Sequence, residues 1–228
     1  MSGGRTNVRD SPSRAVEDYL KAIFKLQEAC DPVSTTALAA ELDRSAASVT
    51  NMVKALAEQG LLDHEPYHGV RLTPRGETTA LGIIRRHRVI ETYLIERLGY
   101  TWDGVHVEAE RLEHAASDDL VDRMASALGD PLEDPHGAPI PSPDGVIESR
   151  ELDLLIDLPD GVPAVVREVS DEDAARLRQL ASAGFLLGKE IVVLKRSVDA
   201  LIVLVGSEEH RLEIVTAGLI RVERIETK

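Results

Sequence analysis

At 228 residues and 43% hydrophobic composition, the chain is long enough for two or three small domains with cores of their own. Its net charge of −14 is the wrong sign for a typical nucleic-acid binder but is unevenly spread: residues 1–75 hold 9 Lys+Arg against 10 Asp+Glu, residues 76–150 hold 7 against 15, and residues 151–228 hold 10 against 15. A single cysteine, Cys30, excludes an intrachain disulfide, and neither a leader-like apolar run nor a membrane-length one is present, so the chain is expected to be soluble, cytoplasmic and without a membrane partner.

The first thirteen residues are polar. A helix is expected from about Ser13 to Glu28, where Val16, Tyr19, Leu20, Ile23, Phe24 and Leu26 recur at helical spacing and Asp18 falls off the stripe beside Lys21. Ser34 or Thr35 caps a short second helix with Leu38, Ala39 and Leu42 inside. After the break Asp43-Arg44-Ser45, a third helix runs from Ala46 to Gln59 and ends at Gly60. Two short helices joined by a tight turn form the helix-turn-helix pattern. Arg44, Ser45, Ala47, Ser48, Thr50 and Asn51 open the second of them, small enough to enter a major groove. Asn51 suits an adenine edge, and Ser48 and Thr50 suit phosphates or thymine methyls. The alternative is an ordinary exposed helix start.

Leu61–Glu65 and Val70–Thr73 read as two strands about the turn Pro66-Tyr67-His68-Gly69. A hairpin in that position is the wing of a winged helix, with His68 and Arg71 as its phosphate-facing groups. Thr73 then caps a long helix with Pro74 at its first position, ending at Gly99. His87 and Glu91 form an i, i+4 pair on it, either metal ligands or a surface ion pair. A further helix, capped by Asp103, is expected to continue to about Leu128 and to carry His106, Glu110, Glu113 and His114 on one stripe. Carboxylates and imidazoles so arranged suit a divalent cation, the alternative being a solvated acidic face. The two long helices are well placed to form a dimer interface, which repressors reading paired half-sites require.

Residues 129–150 hold five of the eleven prolines and read as a linker or irregular segment, with Asp134 and His136 inside it as another candidate ligand pair. From Glu151 the texture is β: Val162–Val169, Glu190–Lys195, Ala200–Val205, Arg211–Val215 and Leu219–Arg224 are short β-branched runs, with a helix from Asp171 to Ala183 between the first two. Five strands and one helix read as a small barrel. No nucleophile elbow, P-loop or His-Glu-x-x-His motif occurs.

Taken together, Asp18-Tyr19-Leu20, the helix-turn-helix, Leu72-Thr73-Pro74-Arg75-Gly76, Arg86-His87-Arg88 with Glu91, and Trp102, His106, Glu110, Glu113 and His114 resemble the DtxR/MntR family of metal-dependent transcriptional repressors, of the three-domain manganese-sensing type. The likeness runs nearly end to end. It implies a mainly α chain with a small β domain: a winged helix-turn-helix over residues 1–74, a helical metal-binding and dimerisation domain over 75–145, and an SH3-like (FeoA-type) β-barrel over 150–228. It implies a homodimer on double-stranded, palindromic operator DNA, two metal ions per subunit, and no enzymatic activity.

Iron-sensing members place Met and Cys where this chain has Asp18 and Glu110. Two carboxylates in place of two sulfur ligands make a hard site that suits Mn(II), with Fe(II) as the alternative. By resemblance the primary site is Asp18, His87, Glu110, Glu113 and His114. Lys21 stands where the binuclear members carry Glu, so that arrangement is not expected here. By the same resemblance a second site takes Glu91, Asp134, His136 and Asp171, with Glu172 and Asp173 as equally acidic neighbours of the last. Iron-sensing relatives build theirs from His87, Glu91 and His106, so His106 is either a ligand or a residue behind one. A metallohydrolase using Glu110, Glu113 and His114 is the reading from another class, but it leaves the helix-turn-helix without a use.

Overall fold

The structure is a computed structural model that describes residues 12–65, 68–148, 150–171 and 173–225. It separates into two compact units, one formed by residues up to Arg85 with Pro141–Val146, the other by Arg86–Ile140 and the remainder from Ile147.

The first unit contains α1 (Arg14–Gln27), α2 (Thr35–Glu41), α3 (Ala46–Glu58), β1 (Leu62–Glu65), β2 (Gly69–Leu72) and the first half of α4 (Pro74–Leu98). Local chemistry sets the helix starts. The Ser34 hydroxyl accepts from Ala37 N at 3.0 Å, and the Ser45 hydroxyl accepts from Ser48 N at 3.2 Å, each satisfying a donor that the helix leaves open. Leu20, Ile23, Val33, Leu38, Val49, Val53, Leu56 and Val70 are buried together, so the three helices and the hairpin share one core. β1 and β2 pair antiparallel with Asp63 opposite Arg71 and Glu65 opposite Gly69, and Val33 bridges to Val70 on the other side of β2. Gly69 has φ +96°, and a Cβ there would stand 2.6 Å from Val33 O, so this close approach requires glycine. The turn residues Pro66 and Tyr67 lie outside the described residues.

The second unit begins in the other half of α4. The single helix expected from Asp103 to Leu128 is instead two, α5 (Val105–Leu112) and α6 (Asp118–Leu128). The reason is local: the Ser117 hydroxyl accepts from Leu120 N at 3.3 Å and starts a new helix, with Asp118 and Asp119 favourable in its first turn. His114 therefore follows α5 rather than lying within it. Nor does Asp103 cap α5: Gly104 holds that position, and the Asp103 carboxylate accepts from Arg178 Nη1 at 2.7 Å.

The β part comprises β3 (Asp153–Leu154), a 3-10 turn (Leu155–Asp157), β4 (Pro163–Val169), α7 (Ala174–Ser182), β5 (Glu190–Arg196), β6 (Ala200–Val205), β7 (Glu208–Glu213), α8 (Ile214–Ala217) and β8 (Ile220–Arg224). Its six strands form one antiparallel sheet in the order β3-β8-β4-β5-β6-β7. Register shifts at Val166/Glu168 and Val193/Lys195 interrupt it. Edges remain at β3 and β7, so the SH3-like domain is an open sheet rather than a closed barrel. Phe185, Leu155, Leu158, Leu177, Leu180 and Ile191 fill its core. Among the described residues no helix is long and apolar enough to cross a membrane.

Candidate metal centre and DNA-reading helix

In the first unit, α3 presents Ser45, Ala47, Ser48 and Asn51 to solvent. Thr50 is half-buried, its hydroxyl donating to Ala46 O at 2.8 Å, which ties that oxygen to the helix backbone. Arg44 is exposed ahead of the helix, and His68 is exposed on the wing. Arg71 is exposed as well, but its Nε donates to Asp31 Oδ1 at 2.9 Å. Asp18 stands half-buried in the middle of α1.

In the second unit, four segments bring ligand-type side chains together. α4 supplies His87 and Glu91, both buried. α5 and the turn after it supply His106, the exposed Glu110, the buried Glu113 and the half-buried His114. The Pro-rich segment supplies Asp134 and His136, both buried, and the turn after β4 supplies Asp171.

His87 sits between two carboxylates. Its Nδ1 is 2.5 Å from Glu113 Oε2 and its Nε2 is 3.0 Å from Glu91 Oε1. His106 Nδ1 lies 2.8 Å from Asp171 Oδ2, 3.2 Å from His87 Nε2 and 3.3 Å from Glu91 Oε1. His87, Glu91, His106 and Asp171 thus offer four donor atoms within 4.8 Å of one another. Glu91, Asp134 and His136 form a second such group, wholly buried, and Glu91 belongs to both. His106 accordingly keeps company with the residues expected at the second site. His114 Nε2 is 3.4 Å from Glu113 Oε1, and Glu110 approaches His106 Nε2 at 3.8 Å.

Among the three acids at 171–173, the structure gives two of them different tasks. Asp173 Oδ1 accepts from Ala175 N and Arg176 N and so caps α7, which begins at Ala174 and not at Asp171. Asp171 is left facing His106. Glu172 lies outside the described residues.

His136 fixes the chemistry of the second group. Its Nε2 is 2.8 Å from Trp102 O; a carbonyl can only accept, so Nε2 carries a proton and Nδ1 is the nitrogen left to face the interior. That nitrogen faces Glu91 Oε2 at 3.8 Å, and both atoms are buried without a hydrogen-bond partner among the described residues. A buried carboxylate oxygen and a buried imidazole nitrogen left unpartnered call for positive charge between them, a proton on Nδ1 or a metal ion. A backbone carbonyl holding the far nitrogen is also the usual arrangement behind a metal-bound imidazole. The loop is held tightly: Trp102 stacks on His136 at 5.1 Å between ring centres, Trp102 Nε1 donates to Pro135 O at 2.8 Å, and Asp134 Oδ1 accepts from His136 N and Ala138 N. At Gly137, φ is +91°, and a Cβ would stand 1.9 Å from Arg167 O on β4.

The titration behaviour follows from this crowding. Burial alone would lower His87, but the carboxylates of Asp171, Glu113 and Glu91 outweigh it and hold the imidazole well above its ordinary value. His106, likewise opposed by burial, is raised to about 9 by Asp171 and Glu91. Glu91 and Asp171 are held low by the two histidines against the effect of burial. Burial pushes Asp134 up to about 6, with Arg88 opposing. Positive charge is wanted at this cluster, and without a metal His87 and His106 retain protons to provide it.

Three residues escaped the sequence reading as parts of this site. Trp102 contributes its carbonyl and its ring. Arg88 donates to Pro139 O at 2.5 Å and approaches Asp134 at 3.6 Å, holding the loop to α4. Asp103, expected as a cap, ties the turn before α5 to α7 through Arg178. Trp102 and Arg88 did carry a signal, since both are among the residues that bear the family resemblance; nothing in the sequence paired Asp103 with Arg178.

Comparison with known proteins separates the chain into matched segments. Residues 13–70 match "Iron dependent repressor, N-terminal DNA binding domain", 73–142 match "Iron dependent repressor, metal binding and dimerisation domain", and 154–224 match "FeoA domain". The iron-dependent repressor IdeR of Mycobacterium tuberculosis (strain H37Rv) is 30% identical over 222 residues, covering 92% of this chain and 96% of the relative. The chain belongs to the DtxR/MntR family of metal-dependent transcriptional repressors. The diphtheria toxin repressor of Corynebacterium efficiens is also 30% identical, over 92% of this chain and 95% of its own. Among solved structures, a manganese-dependent transcriptional repressor in complex with manganese is 41% identical with a TM-score of 0.87, covering 92% of this chain and 100% of that one. The manganese regulator SloR is 30% identical with a TM-score of 0.78, over 94% and 100%. This DtxR/MntR-family repressor therefore resembles both iron-dependent and manganese-dependent members along nearly its whole length.

Proposed function

We propose that this repressor is activated by Mn(II), binds a palindromic operator as a homodimer in the cytoplasm, and catalyses no reaction. The observation that carries the metal reading is the pair of buried, unpartnered atoms, Glu91 Oε2 and His136 Nδ1, 3.8 Å apart. It supports a second site of Glu91, Asp134, His136 and Asp171, to which His106 also comes close. The primary site is assigned by resemblance to Asp18, His87, Glu110, Glu113 and His114, giving two ions per chain. The three-part division at residues 74/75 and 145/150 is kept as the division of labour: reading DNA, binding metal and pairing, and completing the second site.

Manganese is favoured over iron because the donor sets contain only carboxylate oxygens and imidazole nitrogens, with Asp18 and Glu110 where iron sensors use sulfur. A bound divalent cation supplies the positive charge that offsets mutual repulsion among Asp18, Glu110 and Glu113. In this reading Asp18 ties α1 to the helices that pair the subunits. Operator binding then follows as a population shift toward the arrangement in which Ser48 and Asn51 of two chains meet successive major grooves.

The test is to select duplexes from a random library with Mn(II), then titrate an enriched palindromic duplex by fluorescence anisotropy with and without the metal. Equal affinity in both conditions rejects the proposal. Fe(II) activation is the second reading, favoured by the clustering of His87, Glu91 and His106 and by the iron-dependent relatives. Asp18→Met combined with Glu110→Cys should move the metal preference toward iron; an unchanged preference favours iron as the native metal.

A further inference from the structure

The wing is fastened to α1 and the segment after it by a backbone bridge and by linked side-chain contacts through Gln27 and Asp31. Val33 N donates to Val70 O at 3.0 Å, and Val70 N donates to Val33 O at 2.9 Å. Gln27, the last residue of α1, accepts from Leu72 N at 3.1 Å through its side-chain oxygen. Its amide nitrogen donates to Asp31 Oδ1 at 3.3 Å, and the same carboxylate oxygen accepts from Arg71 Nε at 2.9 Å. One oxygen of Asp31 therefore joins the end of α1 to a wing arginine forty residues away in sequence.

Exposed ion pairs such as Asp31–Arg71 contribute little to stability, so the value of this one lies elsewhere. A guanidinium presents five donors in a rigid plane. Asp31 engages only Nε, and among the described residues the two terminal nitrogens of Arg71 have no partner. A donor pair left open on an arginine whose stem is already held is suited to bidentate contact with a phosphate.

We propose that Asp31, steadied by Gln27, is a positioning residue that presents Arg71 to an operator phosphate. This rests on reading the wing as a DNA contact. A carboxylate beside DNA repels phosphate, so if charge were all that mattered, removing it would strengthen binding to any duplex. Positioning predicts the opposite for the specific site, because an untethered arginine must be ordered on binding.

The test is a double-mutant cycle on the full-length, metal-loaded protein, using Asp31→Ala, Arg71→Ala and the double variant. Alanine removes the oxygen that holds Arg71, which asparagine would keep. Each is titrated by anisotropy against an enriched palindromic duplex and a scrambled one, at several salt concentrations. Asp31→Ala should weaken the palindromic duplex about 2- to 10-fold, an amount set by ordering one flexible side chain. It should leave the scrambled duplex equal or tighter. In the Arg71→Ala background the same substitution should no longer weaken binding. Arg71→Ala should reduce the slope of log affinity against log salt by about 0.9, the loss of one phosphate contact. Gln27→Ala should reproduce part of the Asp31→Ala effect. Unchanged thermal unfolding of the variants guards against a folding artefact. If Asp31→Ala tightens both duplexes alike, with and without Arg71, Asp31 acts only as a charge and the proposal is overturned. If Arg71→Ala leaves affinity and salt slope unchanged, the wing does not contact DNA and the reading beneath the proposal fails instead.

Discussion

Gly137→Ala tests whether the loop that carries Asp134 and His136 is seated as the structure draws it. The added Cβ would lie 1.9 Å from Arg167 O and 2.9 Å from Arg167 C, on the backbone of β4, where no flexible side chain can yield. Ordinary contact begins near 3.4 Å, so the loop must retreat by about 1.5 Å. That retreat breaks the bond from Val169 N to His136 O, now 2.9 Å, which ties loop to strand. It also carries His136 away from Glu91, and coordination tolerates displacements of only about 0.2 Å. Holding a non-glycine residue at φ +91° adds about 1–3 kcal/mol of backbone strain. The expected total is roughly 2–4 kcal/mol of destabilisation, equivalent to a fall in Tm of about 4–16 °C for a chain of this length. Thermal unfolding with and without Mn(II), together with calorimetric metal titration, measures both consequences; second-site affinity should fall at least about 10-fold. Gly161→Ala is the control, since Gly161 has φ +79° but nothing within 4 Å of an added Cβ, so it meets strain without a clash. A Gly137→Ala protein that matches this control in Tm and keeps its full metal affinity would refute the argument.

Two further outcomes follow from other parts of the molecule. Asn51→Ala removes an exposed amide from α3 without touching the core, so operator affinity should fall by about 1–3 kcal/mol while metal binding is unchanged; a specificity profile identical to wild type would remove Asn51 from the reading surface. The metal-free protein should be most stable in mildly acidic solution. His106, raised from 6.5 to about 9, contributes stability that is complete below 6.5 and lost as pH rises through about 9, an effect of at most about 3 kcal/mol. Glu91 and Asp171, held below their ordinary values, contribute in the other direction: their share is complete above the ordinary carboxylate range and is lost as pH falls through their lowered values. Chemical denaturation of metal-free protein between pH 5 and 10 checks the alkaline limb, and a flat profile from pH 6.5 to 9.5 would contradict the His106 environment described above.

Much of the first unit was legible in the chain because its signals are short-range. Ser34 and Ser45 accept from donors three residues on, and Thr73-Pro74 starts α4 where the pattern predicts. β-branched alternation located β4, β5, β6 and β8, but missed the short β3 and carried the run at 211–215 past β7 into α8, which begins at Ile214. It also left closure open, because that depends on whether β3 and β7 meet, which no single strand specifies. The break between α5 and α6 was hidden for the opposite reason. The apolar residues keep their period across Glu113–Ser117, and only the Ser117 hydroxyl turning to Leu120 N interrupts the helix.

By itself the sequence determined which residue types were available to a cation, on which elements they lie, and that a helix-turn-helix precedes them. Tertiary structure decided which of them meet. Glu91 became common to two donor groups because α4 shares a core with α5 through Ile90, Leu94, Val105 and Ala109 and holds the Pro-rich loop through Arg88, a matter of packing across long sequence separations. Asp171 rather than Asp173 faces His106, because capping α7 already occupies Asp173. His136 turns Nδ1 toward Glu91 because Trp102 O, thirty-four residues away, accepts from Nε2 on the other side. Periodicity reports a side chain's face on its own element; hydrogen-bond competition among distant groups, which sets protonation and lone pairs, is resolved only when the chain has folded.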